Sequence, residues 1–323
     1  MPLQSRDSLW PEGIFFSRAA ETRGTGLVDK PYSLSACACS KIDRIVTQLE
    51  EKNVPASTDA LRNPLSLFDV SGRSALITGA SGAFGRAVAI ALGSLGAKLT
   101  LAGGTKDDLD RVVAECRDVG AEVETVYLRP DSLEDAQAMV DAAVAAFGDL
   151  DQLVVGSGAN KPGFIQDLDY EDWQFVMDAN IRGAWFMAKA AGTYWIKNDR
   201  PGKVLLVSSV RGRHGNTSGY TGYCASKGAT DMLTRVLATE WGKYGTTVNA
   251  IAPTVFRSKL TAWMFDEDNE LGQATKQRSL SRIPLGRLGE PEDLVGMAIY
   301  LLSPASDFCT GQIMYVDGGF SAG

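Results

Sequence analysis

From Ser74 to Asp317 the chain alternates short apolar runs with longer amphipathic stretches, a rhythm that few folds accept. The runs are SALIT (74–78), KLTLA (98–102), EVETVYL (122–128), QLVVG (152–156), KVLLVS (203–208), TVNAIA (247–252) and QIMYVD (312–317). Each is of strand length and nearly continuous in apolar residues, as suits a strand buried on both faces. Between them, GRAVAIALGSLG, KDDLDRVVAECRDVG and LEDAQAMVDAAVAAFG space apolar residues three and four apart and end near a glycine, as helices do. Strand and helix in alternation predict a doubly wound α/β fold around a seven-stranded parallel sheet, over residues 69–323.

Residues 1–68 do not join this rhythm. The first 39 mix Pro, Gly, Ser and charges without a period and read as an extended arm. Ser40 then suits an N-cap, and Ile42, Ile45, Val46 and Leu49 fall on one face of a short amphipathic helix at about 40–53. That stripe is expected to bury against the chain's own domain or a neighbouring subunit. Pro55 and Pro64 interrupt the chain again before the first strand.

Composition removes several function classes. A net charge of −7 leaves no basic stripe for phosphates, which argues against nucleic acid and anionic membranes as partners. No run of about 18 apolar residues is present to cross a bilayer. The start, MPLQSRDSLWPEG, lacks the apolar core of a signal peptide, so a cytoplasmic protein is expected. Five scattered cysteines fit reduced thiols, and Cys37 and Cys39 with the single histidine, His214, are too few for a metal site.

The turn after the first strand reads Thr78-Gly79-Ala80-Ser81-Gly82-Ala83-Phe84-Gly85 and opens onto a helix. Glycines let a backbone approach a pyrophosphate, and a helix start offers unpaired N–H groups to it. A ligand-free tight turn is the alternative. The absence of Lys-Ser or Lys-Thr after the glycines excludes a P-loop. At the end of the second strand, where an acid would bind a ribose hydroxyl, stands Ala102-Gly103-Gly104-Thr105-Lys106. Thr105 and Lys106 can meet a phosphate there, which leans toward NADP over NAD.

In YTGYCASK (220–227), Tyr223 and Lys227 are four residues apart and share a helical face. A free tyrosine titrates near 10, and a neighbouring ammonium and a positively charged nicotinamide both favour the phenolate, moving the group toward general acid–base work. A plain surface pair is the alternative. Ser209, at the end of VLLVS, falls where parallel sheets bind ligands. Asn180, mid-helix in MDANIRGAW, is a mediocre helix former that needs a reason, be it chemistry, a kink or solvent exposure.

Together these residues resemble the short-chain dehydrogenase/reductase family, and within it the gluconate and polyol dehydrogenases. The likeness rests on TGASGAFG, DANIRG, VLLVSSVRG, YCASK, NAIAP and the ending PLGRLGEPEDL…TGQIMYVDGG. It implies a Rossmann-type domain and an NAD(P)-dependent oxidoreductase acting on a secondary alcohol or ketone. Tyr223 would be the acid–base, Lys227 would lower its pKa and hold the nicotinamide ribose, Ser209 would orient the substrate oxygen, and Asn180 would support a proton relay. Cofactor contacts are implied at Gly79, Ser81, Gly82, Phe84 and Gly85 in the turn, and at Gly103, Gly104 and Thr105 after the second strand. Further contacts fall at Gly156, Ser157 and Gly158, and at Pro253 and Val255. The resemblance also implies a homotetramer or homodimer, no metal, and a lid at 254–285 with Trp263, Met264 and Phe265 as an apolar wall.

Four departures touch the cofactor and none the tetrad. The turn is G-x-x-G-x-x-G; Arg129-Pro130 replaces an aspartate after the third strand; Val155-Gly156-Ser157-Gly158 replaces Asn-Asn-Ala-Gly; Pro253-Thr254 replaces Pro-Gly. Arg129 would bring charge to the adenosine end. The turn also suggests an extended epimerase or dehydratase, but only 96 residues follow Lys227. A non-enzymatic dinucleotide-binding protein would have no use for Tyr223 and Lys227 together. His214 reads as a solvent-exposed loop residue, Tyr220 as pocket edge or pre-helix turn, and Cys224 as inert packing.

Overall fold

The computed structural model describes residues 58–323. The arm and the helix expected at about 40–53, with Cys37 and Cys39, lie outside the described residues. A helical turn at Thr58–Arg62 and a 3-10 turn at Pro64–Phe68, with Pro64 in its first turn, lead into the sheet.

Seven strands form one parallel sheet: β1 (Ser74–Thr78), β2 (Lys98–Ala102), β3 (Val123–Val126), β4 (Gln152–Val155), β5 (Lys203–Val207), β6 (Thr247–Pro253) and β7 (Ile313–Val316). Their order is β3-β2-β1-β4-β5-β6-β7. The chain works outward from β1 to β3, then returns to the other side of β1 with β4. The strand order reverses there, leaving a crevice at the carboxyl ends of β1 and β4.

The continuous apolar runs are explained by burial on both faces. Leu76, Leu153, Val155, Val204 and Leu206 enter one core cluster, whereas Ala75, Ile77, Val154 and Leu205 enter the other. Alternate side chains thus serve opposite layers. The first layer holds α3 (Leu133–Phe147), α5 (Gly183–Lys197) and α6 (Thr221–Trp241), through Met139, Met187, Trp195, Leu237 and Trp241. The second holds α1 (Ala83–Ser94), α2 (Lys106–Asp118) and α8 (Val295–Leu302), through Leu92, Leu109, Cys116, Ala298 and Leu301. α3 shows how sequence sets the bounds: the Ser132 hydroxyl accepts from Asp135 N–H at 3.0 Å, and Gly148 ends the helix in the left-handed region at φ 81°.

Two elements differ from expectation. The strand over 122–128 contracts to Val123–Val126 because its only neighbour, β2, ends with Ala102 opposite Val126. Asn180 is not in regular α-helix: α4 (Tyr170–Met177) passes through a π turn, Asp178–Arg182, before α5 begins. No helix among the described residues is long and apolar enough to cross a membrane.

Candidate active site at the carboxyl edge of the sheet

The glycine turn is built by contact as much as by conformation. Gly79 has φ 63°, and a Cβ there would lie 2.5 Å from the Ser157 nitrogen, so this turn touches the loop after β4. A Cβ on Gly85 would lie 2.4 Å from the Gly79 oxygen, which presses the first turn of α1 onto the strand end. Gly82 is the N-cap of α1 and brings no side chain to its N–H groups, so they stay available to an anion. Ser81 and Phe84 are half-buried around it, and Ser157 Oγ is buried without a protein partner. These features fit a dinucleotide: a cradle that a methyl group would fill, and donors with nothing to bind.

At the end of β2, Gly103 is buried and Gly104 and Thr105 are exposed. Arg129 lies across Gly104, whose Cβ would stand 2.8 Å from Arg129 Cγ. Lys106, in contrast, is engaged: its Nζ is 2.5 Å from Asp110 and 4.8 Å from the centroid of the Tyr127 ring. Lys106 thus stands at the expected place with its ammonium shared with Asp110, and Arg129 beside Gly104 is a second cation there, one without an ion pair among the described residues.

Tyr223 opens α6, half-buried, with Lys227 one turn on. Lys227 Nζ donates to the Val207 carbonyl at 2.8 Å and lies 5.6 Å from the Tyr223 ring centroid. Ser209, at the end of β5, stands beside Tyr223 and donates to the Pro253 carbonyl at 3.4 Å. Its Oγ accepts from Arg211 N–H at 3.1 Å. Asn180 is buried, which removes the solvent-facing reading. Its Oδ1 accepts from Ala159 N–H at 2.7 Å, and its Nδ2 donates to the Ala159 carbonyl and to Ser226 Oγ, both at 2.9 Å. A Cβ on Gly158 would lie 2.9 Å from Asn180 Oδ1 and 3.7 Å from Lys227 Nζ, so the loop after β4, Asn180 and Lys227 meet at one point.

Burial sets the charge states. It pushes the Tyr223 phenol up from its ordinary value, with the Ser209 hydroxyl opposing. It also pushes Lys227 down to about 8, opposed by the Asp231 carboxylate. The expectation joined the Lys227 ammonium to a positively charged nicotinamide; in the protein alone desolvation sets the direction at the phenol, opposed by Ser209 and by the Arg211 charge. Asp231 was missed by sequence reasoning. It is buried one helical turn beyond Lys227 and is hydrogen-bonded by the Ser208 hydroxyl, and burial raises its pKa. The Lys-x-x-x-Asp spacing was the available signal.

Over the edge, residues 254–285 form a 3-10 turn at Lys259–Met264 and a helix, α7 (Glu270–Leu280), which Asn269 caps by accepting from Gly272 N–H at 2.8 Å. Val255 and Phe265 pack against Val210, Ile283, Leu288 and Phe320; Met264 is buried and Trp263 half-buried. Arg211 and Arg282 both lie on the buried Phe320 ring, with Cζ 5.4 and 4.1 Å from its centroid. His214 is half-buried rather than exposed, edge-on to Phe320 at 6.0 Å, because the loop after β5 folds back onto that ring. Tyr220 is the residue before α6, with its ring edge-on to Tyr223 at 6.2 Å. Cys224 is half-buried, and burial raises its thiol pKa, in keeping with inert packing.

A doubly wound parallel sheet with a glycine cradle and a tyrosine–lysine pair at its carboxyl edge defines a class of dinucleotide-dependent oxidoreductases. The family model described as Enoyl-(Acyl carrier protein) reductase matches residues 79–321. The chain belongs to the short-chain dehydrogenase/reductase family. It is 52% identical over 258 residues to an uncharacterized oxidoreductase of Mycobacterium tuberculosis, covering 80% of this chain and 94% of that one. Gluconate 5-dehydrogenase of Gluconobacter oxydans is 31% identical over 258 residues, covering 79% and 97%. The crystal structure of a gluconate 5-dehydrogenase from Burkholderia cenocepacia, in complex with NADP and tartrate, matches with a TM-score of 0.75 at 29% identity, covering 80% and 99%.

Proposed function

We propose that this oxidoreductase interconverts a secondary alcohol and its ketone, with a nicotinamide cofactor, NADP by preference, as the redox partner. The observation that carries this reading is the convergence of Tyr223, Ser209, Lys227 and Asn180 beside the glycine cradle. Gly79, Gly82 and Gly85 would admit the pyrophosphate, Gly103, Gly104 and Arg129 the adenosine end, and the segments at 156–158 and 253–255 the nicotinamide end. Bound there, the cofactor supplies the hydride acceptor or donor and, when oxidised, a positive charge that favours the phenolate.

The remaining chemistry belongs to the chain. Tyr223 Oη takes the hydroxyl proton as the alcohol is oxidised, and returns it to the carbonyl oxygen in reduction. Ser209 Oγ donates to the same oxygen and fixes its place beside the phenol. Lys227, held on the Val207 carbonyl, keeps an ammonium beneath the ring. Asn180 holds the loop after β4 against this group. Likeness to gluconate dehydrogenases favours polyols and sugar acids as substrates. Exposed Trp185, Met232 and Val236 on α5 and α6 support assembly into a dimer or tetramer, which light scattering would reveal.

The direct test is Tyr223→Phe, assayed by nicotinamide absorbance against a panel of alcohols and ketones. Turnover is expected to vanish while NADP(H) still binds in a fluorescence titration. Turnover at the wild-type rate in this variant would end the mechanism.

A further inference from the structure

Arg211 and Arg282 come from separate parts of the chain and converge on one ring. Arg211 follows Ser209 by two residues; Arg282 follows α7 at the foot of the segment beyond β6. Phe320, only 5% exposed, fixes the floor between them. Neither guanidinium makes an ion pair among the described residues: Arg211 Nη1 donates to the Gly215 carbonyl at 2.6 Å, and Arg282 lies on the ring.

Several other arginines of the fold lie against a carboxylate. Arg86 pairs with Glu115, Arg200 with Asp149, Arg257 with Glu290 and Arg287 with Asp293. At Phe320 two like charges stand together, and they repel. Arg282 is among the charges that lower the Arg211 pKa after burial has done so. A bound anion removes the repulsion, and a planar guanidinium matches a carboxylate with two parallel hydrogen bonds.

The pair also adjoins the reacting groups. Arg211 N–H donates to Ser209 Oγ, and the Arg211 charge is felt at Tyr220 and Tyr223. We infer that Arg211 and Arg282 bind a carboxylate of the substrate, so that the enzyme takes a hydroxy acid or the matching keto acid in preference to a neutral polyol. This rests on the oxidoreductase reading above, with the acid anchored at Phe320 and its carbinol carbon presented to Tyr223 and Ser209.

The test compares aldonic acids of three to six carbons with polyols of equal length and with polyol phosphates, using each cofactor. Acids are expected to exceed polyols in kcat/KM by about tenfold or more, the scale of one charge-assisted contact. Arg282→Gln should collapse that ratio, and Arg282→Lys should retain part of it. Arg282 is the residue to change because it is exposed and holds no backbone group. A second measurement titrates the cofactor-loaded protein with gluconate and with glucitol by calorimetry, where gluconate should bind and Arg282→Gln should weaken it about tenfold. Preference for polyols or polyol phosphates, an unchanged ratio in Arg282→Gln, or no gluconate binding would each overturn the inference. Gluconate bound through Arg282, with no hydride transfer to or from any panel member, would uphold it and overturn the alcohol–ketone reading instead.

Discussion

Lys259 Nζ and an Asp108 carboxylate oxygen lie 2.7 Å apart although 151 residues separate them in sequence. Asp108 begins α2 after β2, and Lys259 begins the turn after β6. Four strand spacings of about 4.8 Å put those strand ends about 19 Å apart, so the segment after β6 must lean back across the crevice to make the contact. An exposed pair contributes little to stability. Lys259→Ala should therefore leave thermal unfolding nearly unchanged while cofactor dissociation accelerates, and high salt should mimic it in wild type. Equal stopped-flow release rates in the two proteins would count against a bridging role.

Asn180 occupies all of its amide atoms: both polar groups of Ala159 and the Ser226 hydroxyl. Asn180→Ala leaves buried donors and acceptors unpaired, for about 1–3 kcal/mol of lost stability. Turnover should fall with it, because the loop after β4 loses its hold at Ala159. Denaturant titration and kcat measured together would show whether the two losses accompany each other.

Lys227 gives the stability a definite pH dependence. Its folded pKa of about 8 lies below the ordinary lysine value of 10.5, so between those limits the unfolded chain binds more protons. Stability from this group rises with pH across that window. The phenol of Tyr223, raised by burial, acts in the opposite sense: above pH 10 the unfolded chain loses that proton first, and stability falls. Denaturation midpoints of wild type and Lys227→Met at pH 7, 8.5 and 10 should diverge with the wild type gaining; parallel curves would contradict the depressed lysine.

We propose that Arg129, which lies across Gly104, sets the cofactor preference. Arg129→Ser should weaken NADP(H) binding by about tenfold, the loss of one charge-assisted contact, and leave NAD(H) nearly unaffected. Thermal-shift titration with both dinucleotides reads this directly. A larger shift with NAD in wild type would reverse the assignment.

Gly79→Ala should disable the cradle, since φ 63° and a nitrogen 2.5 Å from the new methyl both oppose it. A cost on the order of 1–3 kcal/mol is expected, with dinucleotide affinity lost before the fold is. Unaltered affinity would show that the turn tolerates a side chain.

The seven strands were legible because burial on both faces writes long apolar runs, and Tyr223, Ser209 and Lys227 because helix period and strand end place them. What escaped was set by neighbours distant in sequence. Val126 ends β3 only because Ala102 ends β2. Lys106 is drawn to Asp110 and Tyr127, whose approach depends on how α2 sits on the sheet edge. The rise of the Tyr223 pKa depends on desolvation, a property of the packed site that spacing to Lys227 does not carry. Arg211 and Arg282 are 71 positions apart and inconspicuous until Phe320 joins them.

The π turn at Asp178–Arg182 has a consequence for how this region tolerates changes in length. A π turn absorbs one residue more than the α-helix it interrupts, so α4 and α5 keep the phase they would have without it. Removing one residue here would leave a continuous α-helix with both flanks facing as they do now. Val176, buried on one side of the break, and Met187, buried on the other, would still both face inward, while the widened turn that holds Asn180 would close. The extra residue thus serves the placement of Asn180 and not the packing of the two helices.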